Sequence, residues 1–167
     1  MKNKKIIIPI IIIILILIIG LFIFISKDDS DNSKFNNDYN VQVPKETQIV
    51  YLTDETVIKE LSTEDKLVFL GNKNSDETKT AVKTLLKVAE DNGIDKIYYY
   101  DTEGIDKKDE IVKEITKKLN KKVIISPTLF LIKSKKSEEI EEGLNKDIEK
   151  HYEDIMIAYI MCNTPNC

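Results

Sequence analysis

Residues 68–101, VFLGNKNSDETKTAVKTLLKVAEDNGIDKIYYYD, read as strand, turn, helix, turn and strand. Leu67 to Leu70 is apolar at every position, the pattern of a strand covered on both faces. Ala81, Val82, Leu85, Val88 and Ala89 then recur at helical spacing, and Asn92-Gly93 supplies the stop. Asn74-x-x-Glu77 fits a capping box, with Ser75, Asp76 and Glu77 suited to a first helical turn. The same turn has a second reading, as a recognition surface. Ile97 to Tyr100 is the second strand, with Tyr98, Tyr99 and Tyr100 divided between core and rim.

The flanking sequence continues this alternation. Before it, Gln48 to Leu52 (QIVYL) is a short β-favouring run. Thr53 is placed as the N-cap of a short helix, with Asp54 and Glu55 in the first turn and Val57, Ile58 and Leu61 as its apolar face. After it, Ile111, Val112, Ile115 and Leu119 make an amphipathic helix. Thr128 to Ile132 is a strand directly following Pro127, and Ser137 to Glu142 a charged edge strand. Ile148, Tyr152, Ile155, Tyr159 and Cys162 line one side of a last helix. The order β-α-β-α-β-α-β-β-α predicts an α/β domain over residues 47–167 with a central sheet.

The front of the chain differs. Ile6 to Ile25 is almost unbroken Ile, Leu and Phe, interrupted only by Pro9 and Gly20. A run of about 20 such residues spans a bilayer core. Residues 6–26 are therefore expected to be an uncleaved transmembrane signal-anchor, since the run exceeds a cleaved signal's apolar stretch and no small-residue cleavage site follows. Lys2, Lys4 and Lys5 precede it, while Lys27, Asp28, Asp29 and Asp31 follow. That bias places residues 1–5 in the cytoplasm and the C-terminal domain outside it. Residues 27–46, rich in Asn, Asp and Ser without an apolar period, read as a flexible linker. All 29 acidic residues follow the span with 22 of the 25 lysines, so the exposed part carries a net charge of −7. That balance argues against nucleic acid as a partner and against a large basic patch for anionic lipid.

Several strings, in order and at matching separations, resemble the thioredoxin family across residues 48–161. IVYLTDETVIKEL (49–61) resembles the family's opening strand and helix, KLVFLG (66–71) the strand leading to the active site, and SPTLFLIKSKK (126–136) the cis-proline segment. Gly143 falls where these proteins often have a glycine after the edge strand. The likeness is greatest to the bacterial bacteriocin transport accessory proteins, which often have a membrane anchor and a Phe-Leu/Ile-Gly-x-x-x-Cys-x-x-Cys stretch. Phe69-Leu70-Gly71 matches its start, but Ser75 and Thr78 stand at the two cysteine positions. The family's thiols sit at a helix start, where the dipole and free N–H groups lower the thiol pKa. A hydroxyl cannot cycle through a disulfide, so Ser75 and Thr78 are degenerate active-site positions. The resemblance implies a thioredoxin-like fold, a central mixed sheet flanked by helices, without a cofactor, acting as a non-catalytic accessory factor that binds a protein or peptide in export or envelope maturation. Asn74, Asp76, Ser126 and Pro127 are the implied peptide-binding positions, the residue before the proline offering backbone hydrogen bonds to an extended client. The alternative at Ser126-Pro127 is a structural cis-proline that shapes the sheet.

Cys162 and Cys167 are the only cysteines. Their spacing around Asn163-Thr164-Pro165-Asn166, on the oxidising side of a membrane, suggests an intrachain disulfide. A redox-active pair and free or intermolecular thiols are the alternatives. Two cysteines and the distant His151 fall short of a tetrahedral set, so no metal is expected, and His151 reads as a surface or helix-edge histidine. Two other functions compete with the accessory factor. One is a thiol-disulfide oxidoreductase using Cys162 and Cys167, disfavoured because a helix C-terminus raises thiol pKa. The other is a structural envelope protein.

Overall fold

Strands that are apolar on both faces need a layer of helices on each side. The computed structural model, which describes residues 31–62, 65–122, 126–132, 138–139 and 148–162, has that arrangement. Strands β1 (Gln48–Leu52), β2 (Lys66–Gly71), β3 (Lys96–Asp101), β4 (Thr128–Ile132) and β5 (Glu138–Glu139) form one sheet in the order β1-β3-β2-β4-β5. β3 runs parallel to both β1 and β2, pairing Tyr99 with Tyr51 on one side and Phe69 on the other. β4 is antiparallel to β2, and β5 to β4. The expected α/β class with a mixed, helix-flanked sheet is therefore present. β5 falls within the expected edge strand 137–142, whose other positions lie outside the described residues.

Alternation along the strands divides the interior into two cores. On one face Ile49, Leu67, Phe69, Ile97, Tyr99, Leu129 and Leu131 pack under helices α1 (31–39), α3 (Asp76–Asp91) and α5 (Ile148–Cys162). On the other face Val68, Leu70, Tyr100, Phe130 and Ile132 pack under α2 (Asp54–Glu60) and α4 (Asp109–Lys118). A short 3-10 turn, Ile105–Lys107, leads into α4. Thr53 caps α2 as its sequence predicts and forms a capping box with Thr56. Asn92 closes α3, and Gly93 takes the left-handed φ of +64° that a helix exit favours. Tyr99 and Tyr100 are buried and Tyr98 half-buried, the expected division of core and rim.

Residues 31–46 correct the expectation of a flexible linker over 27–46. Residues 31–39 are helical, and Phe35, Tyr39 and Val43 are buried. Composition averaging hid two facts. Phe35 and Tyr39 are four apart, one helical turn, so they share a face despite their polar surroundings. The surrounding Asp and Asn side chains are not solvating a coil. Asp31 Oδ2 accepts from Tyr51 N (3.1 Å), Asn32 Oδ1 accepts from Ile49 N (2.7 Å), and Asn32 Nδ2 donates to Thr47 O (2.9 Å). Asn36 Oδ1 accepts from Val43 N (2.7 Å), and Tyr51 OH donates to Asp38 (2.8 Å). The folded domain thus includes residues 31–46 together with the described residues of the expected 47–167. The expected cytoplasmic 1–5 and transmembrane 6–26 segments lie outside the described residues. Among the described residues no helix is long and apolar enough to cross a membrane.

Candidate functional site

Asn72 organises the turn between β2 and α3. Its side-chain Oδ1 accepts from Asn74 N (2.9 Å), and its carbonyl accepts from Ser75 N (3.0 Å). This local turn delays the helix by one residue, so Ser75, not Asn74, is the N-cap, its Oγ accepting from Thr78 N (3.3 Å). The expected Asn74–Glu77 capping box is replaced by that single cap. Ser75 Oγ also donates to Glu77 at 3.4 Å, near the limit of a useful hydrogen bond.

Ser75 and Thr78, the positions expected to be degenerate, have unlike surroundings. Ser75 is half-buried at the rim, whereas Thr78 is fully buried. Asn72 N donates to both Thr78 Oγ1 (3.3 Å) and Ser126 Oγ (3.0 Å). Ser126 Oγ in turn accepts from Thr102 Oγ1 (3.1 Å). The Ser126-Pro127 peptide bond is cis, Pro127 is buried and Ser126 half-buried. The structure therefore brings together the turn and the proline loop that the sequence reading paired. The Ser126 hydroxyl faces inward as a structural link between them.

A second group of contacts, which sequence reasoning missed, holds the turn from the β3 side. Lys73 Nζ meets Asp101 (3.1 Å) and Glu103 (2.9 Å), and Asn74 Nδ2 donates to Glu103 (2.6 Å). Hydrogen bonds to Glu103 and Asp101 hold the Lys73 ammonium above its usual range. Thr102 N and Tyr99 OH both donate to Gly71 O at 3.0 Å. Because Tyr99 spends its proton there, Tyr39 is the donor in the 2.6 Å contact between the two phenols. Burial pushes both phenols well above their ordinary pKa. A chain of hydrogen bonds thus runs from α1 to the residue preceding the turn. One signal for these residues was available: Asp101 to Glu103 end a parallel strand, the end of an α/β sheet where sites gather.

Chemically, the arrangement offers hydroxyls committed to amides and an exposed polar rim of Asn74, Asp76 and Glu77. Among the described residues no group of three His, Cys, Asp or Glu side chains is placed to hold a metal ion. His151 lies half-buried on α5, and its Nε2 has no partner among the described residues. Cys162 ends α5; its side chain and Cys167, hence the expected disulfide, lie outside the described residues. Compared with known protein families and with curated proteins, the chain matches none.

Proposed function

We propose that this chain is a membrane-anchored, thioredoxin-like accessory protein that works through protein contacts outside the cytoplasm and lacks dithiol chemistry. A mixed sheet between helices, with a cis-proline loop bonded to the turn before α3, is what the thioredoxin resemblance implies. The observation that carries the reading is the use made of Ser75 and Thr78. One caps α3, and the other is a buried anchor for Asn72 N, so both former thiol positions serve the scaffold. What remains accessible is the rim, with Asn74 and Asp76 exposed in the turn whose Asn72 N bonds Ser126, open to a partner that approaches the turn. The proposed anchor is the apolar run of residues 6–26, with the lysines before it setting the orientation.

The full-length protein in detergent should not accelerate insulin disulfide reduction by dithiothreitol above background. Activity in the wild type that Cys162→Ser abolishes would move the redox centre to the C-terminal pair and overturn this reading.

A further inference from the structure

The outer edge of β1 is a sheet edge, and its occupant is α1. Gln48 N donates to Asp95 O (2.7 Å) and so faces inward, toward β3. By the alternation of a strand, residues 47, 49 and 51 turn their backbone groups outward. Those are the groups that Asp31 and Asn32 meet: Tyr51 N, Ile49 N and Thr47 O, at 3.1, 2.7 and 2.9 Å. Two side chains from one helical turn thus stand where a neighbouring strand would lie.

The edge beneath is well suited to pairing. QIVYL is β-favouring and holds no charge, Pro or Gly, the residues that normally guard an edge. Its outward groups are also self-complementary. An antiparallel second copy with its two-fold axis at Ile49 sets Ile49 against Ile49 and Thr47 against Tyr51. Each Tyr51 N–H then meets a Thr47 carbonyl, and each Ile49 N–H meets an Ile49 carbonyl. The three groups that α1 satisfies would all find partners in that copy.

We propose that α1 is a strap that blocks edge-to-edge pairing of β1 with a second copy of this chain. Phe35 and Tyr39 anchor the strap in the core, while Asp31 and Asn32 supply the cover.

The test uses the full-length chain in detergent, with Cys162→Ser/Cys167→Ser as background. Light scattering of Asp31→Ala/Asn32→Ala should show twice the protein mass of its parent. Register is read by adding Gln48→Cys to one batch of the strapless variant and Val50→Cys to another. These positions oppose each other at about 4.5 Å between Cα atoms in the two-fold pairing. Oxidising the mixture should give a covalent dimer, while either batch alone should not. A folded strapless variant of unchanged mass, a mixture that fails to cross-link, or equal cross-linking with the strap intact would each overturn the proposal. If the double substitution unfolds the chain, Asn32→Ala alone replaces it. Unfolding there too would mean that Asp31 and Asn32 are needed for the fold itself and do not merely cover an edge, and would equally overturn it.

Discussion

Gly71 shows how closely single atoms hold the turn. A Cβ at this position would lie 2.8 Å from both Phe69 Cε1 and Thr78 Cγ2. Both neighbours are fully buried, so neither has room to retreat. Gly71→Ala should therefore destabilise the fold by about 1–3 kcal/mol, the usual cost of overpacking. Thr78→Ser removes the offending methyl while keeping the hydroxyl for Asn72 N, and should recover part of that loss in the double variant. Urea titrations of the four proteins decide the matter; strictly additive effects would mean that Thr78 is not the obstacle. At this scale the sequence was partly legible. Ser75 and Thr78 were singled out by their distance from Phe69-Leu70-Gly71, and Ser126-Pro127 by the likeness of residues 126–136 to a cis-proline segment; the cis bond and its contact with the turn are present. The cap position was misplaced because Asn72 folds its own side chain over Asn74, a local choice that competes with the capping pattern. Thr102 and Glu103 escaped notice because their role depends on where β3 ends beside β2, which is a tertiary fact.

Among the elements, α2 is the one that local signals described best. Thr53, the acids after it and Val57 correspond to the cap, first turn and buried face observed. Asp54 adds a tie across the sheet end, accepting from Lys108 Nζ and Tyr100 OH at 2.8 Å each. The hydrogen bonds from Lys108 and then Tyr100 lower its pKa below the ordinary 3.8. A depressed folded pKa means a stabilising contribution that is complete above the unfolded value and is lost as pH falls through the folded one. Asp54 is 43% exposed, so the expected size is that of a screened pair. Asp54→Asn should cost about 0.5 kcal/mol at about pH 7, and the gap from wild type should close as the pH falls below about 4. Parallel urea titrations across that range measure it, and a gap that is constant with pH would separate the effect from the carboxylate. The contrast is α1. Its helical pair Phe35 and Tyr39 sits among Asn, Asp and Ser, residues that favour loops unless their side chains find fixed partners. Those partners, the outward amides of β1, are invisible until the sheet is assembled.

For the molecule as a whole, α1 carries the folded unit back at least to residue 31. The ring of Phe35 lies 5.1 Å from Tyr99 and 4.7 Å from Tyr39, edge-on or tilted, and Tyr51 stands 4.9 Å from Tyr99. This aromatic cluster fills the space between β1, β3 and the chain entering from residue 31, and Phe35 is completely buried within it. Truncating such a ring to Ala removes its burial and leaves a cavity, together about 3–5 kcal/mol. That is a large share of the roughly 5–15 kcal/mol by which a domain is stable. Phe35→Ala should therefore lower the urea midpoint markedly, far more than a substitution in a linker would. The same argument sets the boundary for a soluble fragment. Residues 31–167 should unfold cooperatively and keep a near-ultraviolet tyrosine signal, because the cluster is whole. Residues 45–167 would bare Tyr51, Tyr99 and the outer edge of β1 together, and should lose that signal or aggregate. Equal urea midpoints for the two fragments would show that the domain holds its core without α1, and would return residues 31–44 to the status of a tether.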